Sequence, residues 1–290
     1  MRAATRIAGF AAVLGVTFGA AALAGASLDP LREPAPGHAH DDASTGAHGG
    51  GHAAVVVDGP AGLGVSEDGF TLAPEATTLP RDSATELRFR ILDSDGEPVT
   101  DYDVEHERRM HLIVVRRDLT GYQHLHPVLD ASGAWSVRLT LPEAGVYRAY
   151  ADFTTGGRSM TLATDLFVGG AFAPVALPAP TPVADAAEGY RAGLAGHDVT
   201  AGGSAELTYT LSRDGRRLEG VEPYLGADGH LVALREGDLA FLHVHPEESD
   251  EPGVIRFAAA LPTAGRYRLF LQFKHDGTVR TVAHTLVVSR

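Results

Sequence analysis

At 290 residues the chain is long enough for two domains of ordinary size, and 44% hydrophobic with 21% charged residues is the make-up of folded protein. A formal net charge of -13, with Lys and Arg scattered along the chain, leaves no basic stripe for nucleic acid or an anionic bilayer. The absence of cysteine removes disulfides, thiolate nucleophiles, iron–sulfur clusters and Cys-based zinc sites, so any metal site must be built from His, carboxylate or Met.

In chain order, Arg2 and Arg6 precede an uncharged stretch from Ile7 to Ala26 that ends in the small residues Ala22, Ala24 and Ala26. This is an export signal: Ala24-Gly25-Ala26 fits cleavage, while the run over 7–26 is also long enough to remain as a membrane anchor. Either way, everything after Leu28 is expected outside the cytoplasmic membrane, secreted or anchored at its outer face. Residues 27–54 are rich in Pro, Gly, Ala and His without apolar periodicity, so a flexible tether is expected there. It carries His38, His40, His48 and His52 beside Asp41 and Asp42, either a solvated spacer or a loose scavenger of divalent ions.

The remainder is a tandem repeat. Met110-His111-Leu112-Ile113-Val114-Val115-Arg116 matches Gly229-His230-Leu231-Val232-Ala233-Leu234-Arg235, and His124-Leu125-His126-Pro127 matches His243-Val244-His245-Pro246. Leu141-Pro142-Glu143-Ala144-Gly145-Val146-Tyr147-Arg148 likewise matches Leu261-Pro262-Thr263-Ala264-Gly265-Arg266-Tyr267-Arg268. An ordered series at offsets of 119 and 120 is the mark of duplication, with copies at 55–169 and 186–290. The stretch 170–185 between them, with Pro174, Pro178, Pro180 and Pro182, is expected to be a stiff, extended connector.

Within a copy, β-rich runs alternate with turn signals: Thr85 to Leu92, His111 to Arg117, Trp135 to Leu141, Val146 to Phe153 and Met160 to Val168. No segment after the export signal holds helical periodicity. The expectation is all-β: two tandem β-sandwiches of about seven strands each, immunoglobulin-like or cupredoxin-like.

The same three histidines recur in both copies. Alternate residues of a strand share a face, so His124 and His126 point one way, as do His243 and His245. A hairpin symmetric about Asp118 and Leu119 pairs residues whose numbers sum to 237 and sets His111 opposite His126. The matching hairpin, centred on Gly237-Asp238 in a type II′ turn, has sum 475 and sets His230 opposite His245. Each set then forms a His₃ site for Cu(II) or Zn(II): His111, His124 and His126 in copy 1, and His230, His243 and His245 in copy 2. Half-buried histidines bonded to backbone carbonyls would leave the same pattern. His106, Met110, His275 and His284 are additional candidates that are not duplicated, and they read as surface residues unless the fold brings them close.

The chain lacks a nucleophile elbow, phosphate loop or nucleotide fingerprint, so no enzyme is expected. The run from Gly229-His230-Leu231-Val232 through His243-Val244-His245-Pro246 to Tyr267-Arg268-Leu269-Phe270-Leu271-Gln272-Phe273 resembles a group of bacterial exported proteins. These are commonly labelled secreted, membrane-anchored or heavy-metal-binding. The resemblance is close over copy 2 and weaker over copy 1, where Met110 replaces Gly229 and Asp152 replaces Gln272. It implies an exported β-sandwich protein. The function expected is sequestration of a divalent metal ion or its handover to an envelope transporter. The alternatives are a structural or protein-interaction module with packed histidines, and a sensor domain in an envelope assembly.

Overall fold

A computed structural model describes residues 61–290 except His243. The stretches expected to be an export signal and a tether, with the four histidines of the latter, and His243 lie outside the described residues. Among the described residues no helix is long and apolar enough to cross a membrane.

Copy 1 is two sheets of five strands. One orders β1 (Ser66–Glu67), β2 (Phe70–Pro74), β4 (Thr85–Leu92), β8 (Ala134–Leu139) and β7 (Val128–Leu129). The other orders β3 (Thr78–Leu79), β10 (Arg158–Val168), β9 (Gly145–Thr155), β5 (His111–Arg116) and β6 (Gln123–Leu125). Alternation sends Leu87, Phe89 and Trp135 from the first sheet and Leu112, Tyr147 and Leu162 from the second into one shared core.

Copy 2 repeats this layout. Its first sheet orders β11 (Val183–Asp185), β12 (Tyr190–Ala195), β14 (Gly203–Arg213), β19 (Val254–Leu261) and β18 (Val244–Glu247), with β15 (Arg216–Arg217) attached to β14. Its second orders β13 (Val199–Thr200), β21 (Thr278–Ser289), β20 (Gly265–His275), β16 (His230–Arg235) and β17 (Phe241–Leu242). The chain is all-β, two tandem β-sandwiches, with a single short 3-10 turn at Ala187–Gly189 among the described residues.

The copies are joined face to face. In β5 every residue is buried, because Leu112 and Val114 fill copy 1's own core while Ile113 and Val115 enter a third apolar cluster. In β16, Leu231 and Ala233 fill copy 2's core while Val232 and Leu234 enter that same third cluster. Tyr122 stacks on Phe270 with ring centroids 4.1 Å apart, and the Tyr150 hydroxyl donates to the Leu239 carbonyl at 2.6 Å. Residues 56–290 accordingly form one compact unit.

Candidate metal centre

His111 opens β5 and His230 opens β16, each on the face that meets the other copy. In copy 1 the hairpin keeps the register that the spacing predicts: Leu112 pairs with Leu125 and Ile113 with His124, sums of 237. His126 follows one residue beyond β6, which brings it back beside His111.

One nitrogen from each of His111, His124 and His126 lies within 4.8 Å of the other two. Their ring centroids are 5.2, 5.2 and 4.8 Å apart. Rings bonded to one ion at about 2.0–2.1 Å have centroids roughly 3.2 Å from it, hence roughly 5.2 Å from one another in a tetrahedral arrangement.

The outer hydrogen bonds of His111 and His124 favour one tautomer at each ring. His111 Nε2 faces the Glu105 carbonyl at 3.3 Å, and a carbonyl only accepts, so this nitrogen carries the proton. Gln272 Oε1 accepts from His124 Nδ1 at 2.6 Å, and the same amide's Nε2 donates to Thr281 Oγ1 at 3.3 Å. The two remaining nitrogens, His111 Nδ1 and His124 Nε2, face each other at 3.0 Å. In that tautomer two lone pairs face each other and a cation between them removes the repulsion; with either ring in the other tautomer the same 3.0 Å is an N–H···N hydrogen bond. His126 Nε2 is buried and has no hydrogen-bond partner.

A proton is the weaker candidate for that cation. Burial pushes all these imidazoles down: His111 and His124 fall below the ordinary histidine value, His126 to about 4 and His230 to about 3. Repulsion from neighbouring histidines adds to the depression at each, and Asp152 opposes it at His111. The ligand-competent neutral form is thus held well below pH 6.5, the threshold expected from unperturbed histidine.

Copy 2 departs from the expected geometry. Its hairpin has the predicted register, Ala233 with Leu242 and Leu234 with Phe241, both summing to 475. The two-residue II′ turn is replaced by a loop over 236–239 in which Gly237 and Leu239 have positive φ. The expected cross-strand pair of His230 with His245 does not form. Strand β17 stops at Leu242, the chain crosses to the other sheet, and His245 pairs with Ala258 of β19, exposed to solvent. In copy 1 the crossover comes later, after Leu125, which is why His124 and His126 stay near His111.

His230 instead joins copy 1's histidines, with its centroid 4.7 Å from His124 and 5.7 Å from His111. A cavity of about 160 Å³ opens beside it, with His106, His111 and His245 also in its wall.

Gln272 and His106 were not singled out by spacing. Gln272 pairs with His230 across β16 and β20, as Asp152 pairs with His111, so the register marks it as belonging to the same face. His106 is held 6.0 Å from His111 and 6.1 Å from His230 by a tight turn in which His106 and Glu107 both have positive φ. The equivalent turn in copy 2 uses Leu225-Gly226, where glycine takes that conformation without strain.

The amino-acid sequence matches the family described as "Domain of unknown function (DUF8832)" over residues 65–170 and again over 184–290. The chain belongs to this family. Each DUF8832 copy is one of the two sandwiches above. No curated protein matches the chain.

Several solved structures are similar at low identity. The Escherichia coli adhesin FdeC is 13% identical over 78% of this chain and 65% of its own, with a TM-score of 0.26. Salmonella alpha-2-macroglobulin reacted with methylamine is 14% identical over 79% of this chain and 15% of its own, with a TM-score of 0.28. The Yersinia pseudotuberculosis adhesin InvE is 10% identical over 75% of this chain and 58% of its own, with a TM-score of 0.24. The chain therefore spans less than two thirds of the length of these structures, and likeness at this level carries no functional argument.

Proposed function

We propose that this chain is an exported protein that binds one divalent copper or zinc ion through His111, His124 and His126, for sequestration or handover in the cell envelope. The observation that supports this reading is the pair of facing nitrogens on His111 and His124, 3.0 Å apart and each on a ring held by an outer hydrogen bond. An ion about 2.05 Å from both would see them at roughly 95°, between the tetragonal preference of Cu(II) and the tetrahedral one of Zn(II). The Glu105 carbonyl and the Gln272 amide have the role of outer partners that fix tautomer and ring orientation. The unpartnered His126 nitrogen supplies the third donor, and the adjoining cavity has room for water or a handover partner's ligand.

The test is thermal unfolding of residues 56–290, which leaves out the tether histidines, with and without Zn(II) or Cu(II). Ligand at 100 times its dissociation constant stabilises the native state by about 2.7 kcal/mol. A rise in Tm on adding metal that disappears in His124→Ala supports the site. A Tm that ignores metal, with a large loss of stability in His124→Ala, supports packed histidines in an interaction module instead.

A further inference from the structure

The duplication gives each copy its own histidine set, yet the fold assembles a single group from both, and His230 is the residue that crosses over. Its ring is tilted 30° against His124 at 4.7 Å and nearly parallel to His111 at 5.7 Å, in contact with two of the three copy 1 rings. The ring is partly buried, lies against the copy 1 histidines and borders the cavity.

From these observations we infer that the metal centre is a clamp between the two copies: His230 of the second copy is the fourth imidazole ligand of the ion held by His111, His124 and His126. Gln272, from the same copy, is a positioning residue that acts through His124. This rests on the three-histidine reading above and adds to it that the metal ties the domains together. The nearby apolar cluster brings the two sheets into contact, which places the His230 ring against those of His111 and His124. The site therefore prefers borderline ions that accept four imidazoles, Cu(II) and Zn(II), over hard ions that demand oxygen. Metal binding is then coupled to domain docking, and a partner that pries the copies apart would release the ion.

The experiment uses the full chain with His38, His40, His48 and His52 replaced by Ala, loaded with one equivalent of Cu(II). Pulsed electron paramagnetic resonance counts the coordinated imidazoles, and competition titration measures affinity. Four imidazoles are expected in this parent and three in His230→Gln, with affinity down by more than the 10–100-fold that loss of an outer partner costs. Hydrogen exchange should show the Leu231–Leu234 amides becoming more protected on metal addition, and circular dichroism checks that His230→Gln folds. Three imidazoles in the parent with unchanged affinity in His230→Gln would overturn the clamp and leave the three-histidine site intact. Absence of specific binding, or equal binding by His124→Ala, would overturn both.

Discussion

Histidines that are neutral because they are buried make folding depend on pH. His126 and His230 titrate near about 4 and about 3 in the folded chain, against about 6.5 when unfolded. Between these values the unfolded state binds more protons, so stability rises with pH. The contribution is complete above about pH 7 and declines as pH falls through 6.5 towards 4, by up to about 1.4 kcal/mol per pH unit for each such histidine. Urea midpoints of the metal-free protein from pH 8 to pH 4 should show this fall. A flat profile over that range would mean that the imidazoles are solvated. His284, buried in the copy 2 core against Tyr209, falls to about 4 and acts in the same direction.

At the scale of the strand, β5 and β16 are buried on both faces, and this makes a distinct prediction. In an isolated sandwich Ile113 would point to solvent and its truncation would cost little. Here it is fully buried in the cluster between copies, so Ile113→Ala should cost about 2–5 kcal/mol, the same range expected for Leu112→Ala in the copy's own core. Chemical denaturation of the two variants tests the docking of the copies, and a cost near zero for Ile113→Ala would contradict it. The hairpin registers were legible in the sequence because strand periodicity is fixed at two, so His111 and His126 could be set side by side by counting. The fate of His245 was not legible, since nothing in His243-Val244-His245-Pro246 marks the residue at which the chain changes sheets. The uninterrupted apolar runs after His111 and His230 did carry the sign of two-sided burial. Reading each copy as self-contained hid its meaning.

Across the whole molecule, the Pro-rich connector is fastened as well as stiff. The Val175 amide donates to Asp118 Oδ2 at 2.8 Å in copy 1, and Arg266 Nη2 donates to the Leu177 carbonyl at 2.8 Å in copy 2. Leu177 also packs against the apolar cluster between the copies. Interface and connector thus hold two duplicated sandwiches in one arrangement, in which His230 of copy 2 lies beside His111 and His124 of copy 1. The all-β tandem architecture followed from the repeat and its turn signals. The grouping of His230 with the copy 1 histidines depends on which sheet faces which, a matter of tertiary packing that residue spacing does not encode. The most direct measurement of the central claim is X-ray absorption at the metal edge of residues 56–290 loaded with one equivalent of Zn(II) or Cu(II). The account predicts at least three nitrogen neighbours at about 2.0 Å with the outer-shell scattering of imidazole rings, and the loss of that signal in His124→Ala. A shell of oxygen neighbours without imidazole scattering would contradict it.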